Sequence, residues 1–334
     1  MEKGIAVGFA ALLLALCIAA FPVLLERAPE PMQPSETATE AMVPATEASV
    51  PEAMGTSTAL AVLMPDGAVR EMDLETYLVG VVLGEIPADF AQEAQKAQAV
   101  VARTFALRQK AHPKHEQAAV CTDPSCCQCW IDPESYLAQP GRDDSDVRRV
   151  KEAVRATSGE VLTYEGELIE ATYFSCSGGR TEAAAAVWGS DVPYLQSVDS
   201  PGEEPLAVHD RDETELPAGE FAALLEKEEP AANFSGPENG WVGQTVWTAG
   251  GGVETIELGG VRFRGIRLRA LLGLRSTAFT IRVEDGTVTI TTRGYGHRVG
   301  MSQYGAQAMA QEGKTYAEIL AHYYVGTRLE KQTA

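Results

Sequence analysis

The sequence predicts a mixed α/β fold: a bilobed domain with a central cleft, preceded by one N-terminal transmembrane helix. Three observations carry this expectation. Long stretches free of Gly and Pro, from Ala91 to about Lys110 and from Ser145 to Ala156, are rich in good helix formers. Short β-branched runs such as Glu160–Tyr164, Phe279–Val283 and Val288–Thr292 are bounded by turn residues and read as strands. A chain of 334 residues suffices for two core-bearing units or one large bilobed domain.

Residues 4–25 are apolar and uncharged over about the span of a bilayer. They read as an uncleaved single-pass anchor within 1–27, with a cleaved signal peptide as the competing reading. Bulky Leu16 before Cys17 argues against a lipoprotein site. Residues 28–57 are dominated by Pro, Glu, Ala, Thr and Ser and cannot bury enough surface to offset their ordering entropy, so they read as a flexible tether. The expected folded domain is 58–330, held outside the membrane. Its chain carries a formal charge of -20, which argues against nucleic acid or anionic headgroups as partners.

Within that domain Glu85 is the first candidate. Leu78, Val79, Val81, Val82 and Leu83 precede it and Ile86-Pro87 follow, so it is either a carboxyl raised toward neutrality by apolar surroundings or a residue before a surface turn. A carboxyl of the first kind can give up a proton and later take one back. Asp89 with Gln92 reads as the N-cap of the helix that follows. On that helix Gln95, Ala99 and Arg103 share a face at i, i+4 and i+8.

Cys121, Cys126, Cys127 and Cys129 crowd one loop. Adjacent Cys126 and Cys127 can hardly bridge each other, so a metal is the stronger reading, with a Cys121–Cys129 disulfide as the alternative. Residues 168–174 read as a strand delivering Ser175, Ser177, Gly178, Gly179, Arg180 and Thr181, a polar turn or a backbone suited to lie close to a sugar. Trp188, Tyr194 and Leu195 supply flat apolar surface for pyranose faces or for core. Residues 199–256 are acidic and poorly patterned apart from a short helix near Glu220–Glu228. Val261–Leu268 alternates as a strand, and Asp285-Gly286 marks a hairpin. Gly294–Gln303 leads into a helix ended by Gly313, and Thr315 with Glu318 forms a capping box for a last helix through Tyr323.

Three blocks, LGEIPADFAQEAQKAQAVVARTFAL, YFSCSGGRTEAAAAVWGSDVPYLQSV and GYGHRVGMSQYGAQAMAQEGKTYAEILAHYY, lie in this order. Together they resemble the stage II sporulation protein D family of cell-wall lytic transglycosylases, over roughly residues 58–330. The resemblance implies a membrane-anchored, extracytoplasmic enzyme of engulfment during sporulation. It would cleave the β-1,4 bond between N-acetylmuramic acid and N-acetylglucosamine in peptidoglycan. It implies Glu85 as the catalytic acid/base. Arg103, Tyr173, Ser175, Ser177, Gly178, Gly179, Thr181, His297, Ser302 and Gln303 would bind substrate. It implies glycan strands stripped of peptides by a partner amidase, and a companion engulfment membrane protein. In clostridial members a zinc ion occupies the cysteine loop, held by two cysteines and a histidine. Laid along this chain, Cys121 and Cys127 fall on the cysteines and Cys126 on the histidine, leaving Cys129, His115 or water for a fourth position. Cys176 stands where the family has Thr, and Arg298 where it more often has Gly. The same domain in amidase-enhancer proteins implies a non-catalytic activator or wall-binding module as the alternative. A metal-dependent hydrolase and a plain anchored scaffold are the other classes.

Overall fold

The structure is a computed structural model that describes residues 58–332. The anchor and tether expected over 1–27 and 28–57 lie outside the described residues. Among the described residues no helix is long and apolar enough to cross a membrane.

The fold is mixed α/β. A hairpin of β1 (Ala59–Leu63) and β2 (Val69–Asp73) opens it and runs into α1 (Leu74–Glu85). Asp73 caps α1 by accepting from Thr76 N at 2.9 Å. Residues from Tyr77 to Leu83 are all buried, so α1 is a central helix rather than an amphipathic one. Next comes α2 (Gln92–Ala111), followed by β3 (Val120–Cys121), which adds to β1 in parallel. The start of α2 corrects the expectation of an Asp89 cap. Asp89 is exposed, Ala91 holds the cap position without a side-chain bond, and its N–H donates to Gln307 Oε1 at 2.7 Å. A tertiary partner replaces the local one.

After α3 (Pro133–Leu137), Asp143 caps α4 (Asp144–Ala156). The chain continues through β4 (Glu160–Tyr164), β5 (Glu167–Leu168) and β6 (Tyr173–Phe174). The strand expected over 168–174 is therefore broken. β5 stays with β4, whereas β6 leaves that sheet to pair with residues Met301–Ser302. α5 (Ala184–Trp188) follows, then β7 (Arg211–Pro217) and α6 (Ala218–Glu228). After a 3₁₀ turn at Glu238–Gly240 come β8 (Val242–Trp247), β9 (Val253–Leu258) and β10 (Val261–Arg264). The strand expected to reach Leu268 ends at Arg264 instead, and α7 (Gly265–Leu272) begins. A Cβ at Gly265 would collide with the Val253 carbonyl, so the chain turns there at close quarters.

β11 (Ala278–Glu284) and β12 (Thr287–Arg293) form the expected hairpin, with Asp285 at φ 51° and Gly286 at φ 78° as a primed turn requires. β13 (Met301–Ser302) runs into α8 (Gln303–Gln311). α9 (Tyr316–Tyr323) carries both halves of the Thr315–Glu318 capping box, and β14 (Arg328–Lys331) pairs with β4. Two hydrophobic cores result. One gathers Leu78, Val82, Val101, Leu162, Ile319 and Tyr323 from α1, α2, β4 and α9. The other gathers Phe221, Phe234, Ile256, Leu268, Phe279 and Ile290 from residues between α6 and β12.

Candidate active site and metal centre

Glu85 is the last residue of α1, where the helix hands over to extended Ile86. Its Oε1 accepts from Cys129 N at 2.7 Å and from the Tyr173 hydroxyl at 2.9 Å, and its Oε2 accepts from Gln303 Nε2 at 3.2 Å. Burial pushes the Glu85 carboxyl above the ordinary carboxylate range, while these three donors pull it down less strongly. The residue as a whole is half-buried at the end of the helix. A desolvated carboxyl held at both oxygens is suited to proton transfer.

The donors come from three distant parts of the chain. Gln303 stands at the start of α8, which Ser302 caps by accepting from Gly305 N at 3.1 Å, and the Ser302 hydroxyl donates to Ser175 O at 3.3 Å. Tyr173 lies on β6, beside β13, so the pairing of those two short strands sets Tyr173 and Gln303 on one carboxylate. The Tyr173 hydroxyl also accepts from Gln128 Nε2 at 3.1 Å, and Gln128 Oε1 accepts from the Tyr77 hydroxyl at 3.2 Å. Burial, and after it the Glu85 charge, push the Tyr173 phenol well above its usual range. Tyr173 is thereby a hydrogen-bond donor to Glu85 and not a proton source.

Sequence reasoning missed Tyr77, Gln128 and the backbone of Cys129. The signal lay in two glycines one helical turn apart. A Cβ at Gly80 would collide with the Trp130 indole, and one at Gly84 would lie 3.1 Å from Cys129 O. The bare stripe of Gly80 and Gly84 lets the 128–130 loop lie against α1, and Ile131 N donates to Gly80 O at 3.1 Å.

Several expected substrate-binding residues are engaged elsewhere. Arg103 is fully buried. Its guanidinium donates to both Glu75 oxygens at 2.8 and 2.7 Å and to the carbonyls of Glu160 and Val154 at 3.2 Å. Glu75 opens the helix that Glu85 ends, about 15 Å away at 1.5 Å per residue. Arg103 therefore ties α1, α2, α4 and β4 together and does not face Glu85. Arg103→Met should leave Glu75 unpaired and cost about 3 kcal/mol, the low end for a broken buried pair because Glu75 keeps a third of its surface in water. Chemical denaturation of the purified variant checks this, and an unchanged midpoint would contradict it.

Ser177 and Thr181 are likewise buried. Ser177 N and Oγ donate to Glu203 at 2.5 and 2.9 Å, and Thr181 Oγ1 accepts from Val198 N at 2.8 Å. They shape the 175–181 turn from within. Gly178 and Gly179 take φ 73° and 107°, and the Gly179 N–H donates to Ser177 Oγ at 3.0 Å. Ser175 contributes its carbonyl to Tyr304 N at 3.0 Å. His297 packs its ring on Phe174 and Trp188 at 5.7 and 5.5 Å and accepts at Nδ1 from Val299 N at 3.1 Å. Burial and the Arg269 charge push its pKa down to about 4, so it is a neutral ring beside the cluster, one residue pair removed from Glu85. Cys176 is buried, and desolvation raises its thiol to about 12, which makes it a small core residue.

Arg298 takes φ 64°, a left-handed conformation in which glycine is at ease. The arginine here is compensated by burial of its head. Nε donates to Ser177 O at 2.7 Å, Nη2 to Arg180 O and Gly250 O at 2.8 and 2.7 Å, and Nη1 pairs with Glu182 at 3.3 Å.

The cysteine loop gathers a second constellation. His115 Nε2 and the sulfurs of Cys121, Cys126 and Cys127 all lie within 4.8 Å of one another. Cys126 and Cys127 sulfurs are 3.9 Å apart, and His115 Nε2 lies 3.7 and 3.5 Å from them. A tetrahedral zinc with Zn–S bonds of about 2.3 Å has S···S edges of about 3.8 Å, so the donor set fits this ion. Burial raises both thiols, Cys127 to about 12. Cys129 stands outside this set and lies against Gly84 of α1.

Residues 66–164 match the family profile described as SpoIID, Stage II sporulation protein. The chain is 37% identical over 269 residues to Stage II sporulation protein D of Bacillus amyloliquefaciens, covering 79% of this chain and 76% of that protein. Its likeness to the Bacillus subtilis protein of the same name is also 37%, over 80% of this chain and 77% of the relative. The chain belongs to the stage II sporulation protein D family. It is also 30% identical to the Amidase enhancer of Bacillus subtilis, covering 75% of this chain but 40% of that longer protein.

Proposed function

We propose that this protein is a peptidoglycan lytic transglycosylase of sporulation, with Glu85 as its single acid/base. The observation that supports this best is the Glu85 carboxyl, raised by burial and held by Tyr173, Gln303 and the Cys129 N–H. In the protonated state it would give its proton to the glycosidic oxygen as the bond from N-acetylmuramic acid C1 breaks. The resulting carboxylate, stabilised by the same three donors, would take the proton of the muramoyl C6 hydroxyl as that oxygen bonds to C1, closing a 1,6-anhydro ring. Glu85 ends the cycle protonated. No acidic partner is hydrogen-bonded to Glu85 among the described residues, which suits one carboxyl serving both steps rather than a paired mechanism.

The substrate would be a peptide-stripped glycan strand lying in a cleft between the two cores. The protein would sit at the membrane through residues 4–25 and act in engulfment beside an amidase and a membrane partner. A zinc ion held by His115, Cys121, Cys126 and Cys127 would be structural. Four protein donors leave no open position for a water, so the ion fixes the loop and proton chemistry stays with Glu85. The likeness to a protein named Amidase enhancer favours one second reading, a non-catalytic activator. Product analysis on purified peptide-free strands decides between them. Anhydro-ended sugars are the expected result; reducing ends would indicate a hydrolase, and no product an activator.

A further inference from the structure

Two exposed large apolar side chains share one hollow. Trp247 and Ile266 are 47% and 37% exposed, and both line a hollow of about 490 Å³. Trp188, which follows the lining residue Val187, is 44% exposed. Glu85 is not on this lining, and the volume falls within the about 300–1,000 Å³ of small-ligand sites.

The lining mixes flat apolar surface with both kinds of polar partner. Arg264 offers a planar fork of donors, Glu254 a carboxylate and Thr255 a hydroxyl. Glu182 adds a carboxylate whose Oε2 has no hydrogen-bond partner among the described residues. Its other oxygen is fixed by Gly252 N at 2.9 Å, Thr248 Oγ1 at 2.7 Å and Arg298, so this wall is pre-organised. An indole face beside alternating donors and acceptors suits a pyranose, whose C–H face is apolar and whose rim is hydroxyls.

The hollow is joined to Glu85 through α5. Residues 185–187 of that helix line it, and Trp188 at its end packs on His297 at 5.5 Å. His297 packs on Phe174, the neighbour of the Tyr173 that bonds Glu85. These packed rings couple the wall of the hollow to the Glu85 site, with Trp188 as their exposed end. We infer that the hollow is a distal subsite for an N-acetylhexosamine unit of the same glycan strand, with the Trp247 ring as its stacking platform. The inference rests on the glycan reading above.

The test uses the full chain carrying Glu85→Gln, so that binding is read without turnover, and purified peptide-free peptidoglycan strands as the probe. Adding Trp247→Ala should raise the Kd for strands about tenfold, the scale of one stacking contact. Trp247→Phe should recover most of that loss, and Arg264→Gln should weaken binding in the same direction. Val208→Ala, a control at a residue 81% exposed and off the lining, should leave Kd unchanged. An unchanged Kd for Trp247→Ala in a chain of unaltered melting temperature overturns the subsite, as does an equal loss for Val208→Ala. Weakened binding by Trp247→Ala in a protein whose Glu85 form yields no product would uphold the subsite and refute the catalytic reading.

Discussion

Glu85→Gln is expected to abolish release of anhydro-ended products while leaving the melting temperature and strand affinity near those of the parent. The amide keeps the size of the side chain and can still accept from Cys129 N and Tyr173. It can neither give up a proton to a departing sugar oxygen nor take one from the C6 hydroxyl. A lone acid/base contributes about 10²–10⁴-fold, and here one group would serve both steps, so the loss should lie at or beyond the top of that range. The comparison with Tyr173→Phe separates proton transfer from tuning. That variant removes one donor from the carboxylate, so it should raise the Glu85 pKa further and shift the basic limb of the pH–rate profile upward. Near-parental product release by Glu85→Gln would exclude the mechanism.

What could be read from the sequence divides by the distance over which each feature is determined. The α9 capping box and the β11–β12 turn are set by residues within a few positions, and both stand in the structure as their residues predict. The strand β7 escaped notice because its side chains are largely exposed and polar, and β8 because its apolar residues are largely exposed and do not alternate as in a half-buried strand. The burial that raises the Glu85 carboxyl was legible from its apolar neighbours. The partners of that carboxyl were not, since Tyr173 and Gln303 lie 88 and 218 residues further on and meet it only through the pairing of two-residue strands. Arg103 misled for a related reason. A polar face on a helix looks like a ligand face until α4 and β4 are laid over it and supply carbonyls to the guanidinium. Arg298 illustrates the same limit, because only the fold reveals that its charge is answered by Glu182.

Removal of the proposed zinc is expected to cost both stability and activity, although the ion would touch no reacting atom. Cys127, a proposed ligand, is followed directly by Gln128, which donates to Tyr173, and then by Cys129, whose N–H donates to Glu85. Two of the groups that orient the carboxyl thus sit within two residues of a metal ligand. Without the ion the loop would be left to hydrogen bonds such as Cys127 N to Asp123 O at 2.8 Å and to its packing on Gly80 and Gly84. If the loop drifts from α1, Glu85 loses a hydrogen bond to a charged group worth about 1.5–3 kcal/mol. At about 1.4 kcal/mol per decade that is roughly a 10–100-fold fall in cleavage. Protein purified under reducing conditions should therefore hold stoichiometric zinc, and chelation should lower its melting temperature and its rate together, both restored by added zinc. Cys127→Ser should behave like the chelated protein, because the hydroxyl is a poor ligand for this ion. His115→Cys should keep the metal, since four thiolates also bind zinc in a tetrahedron. Sub-stoichiometric zinc, with full cleavage after chelation, would show that the loop is held by its packing against Gly80 and Gly84 alone.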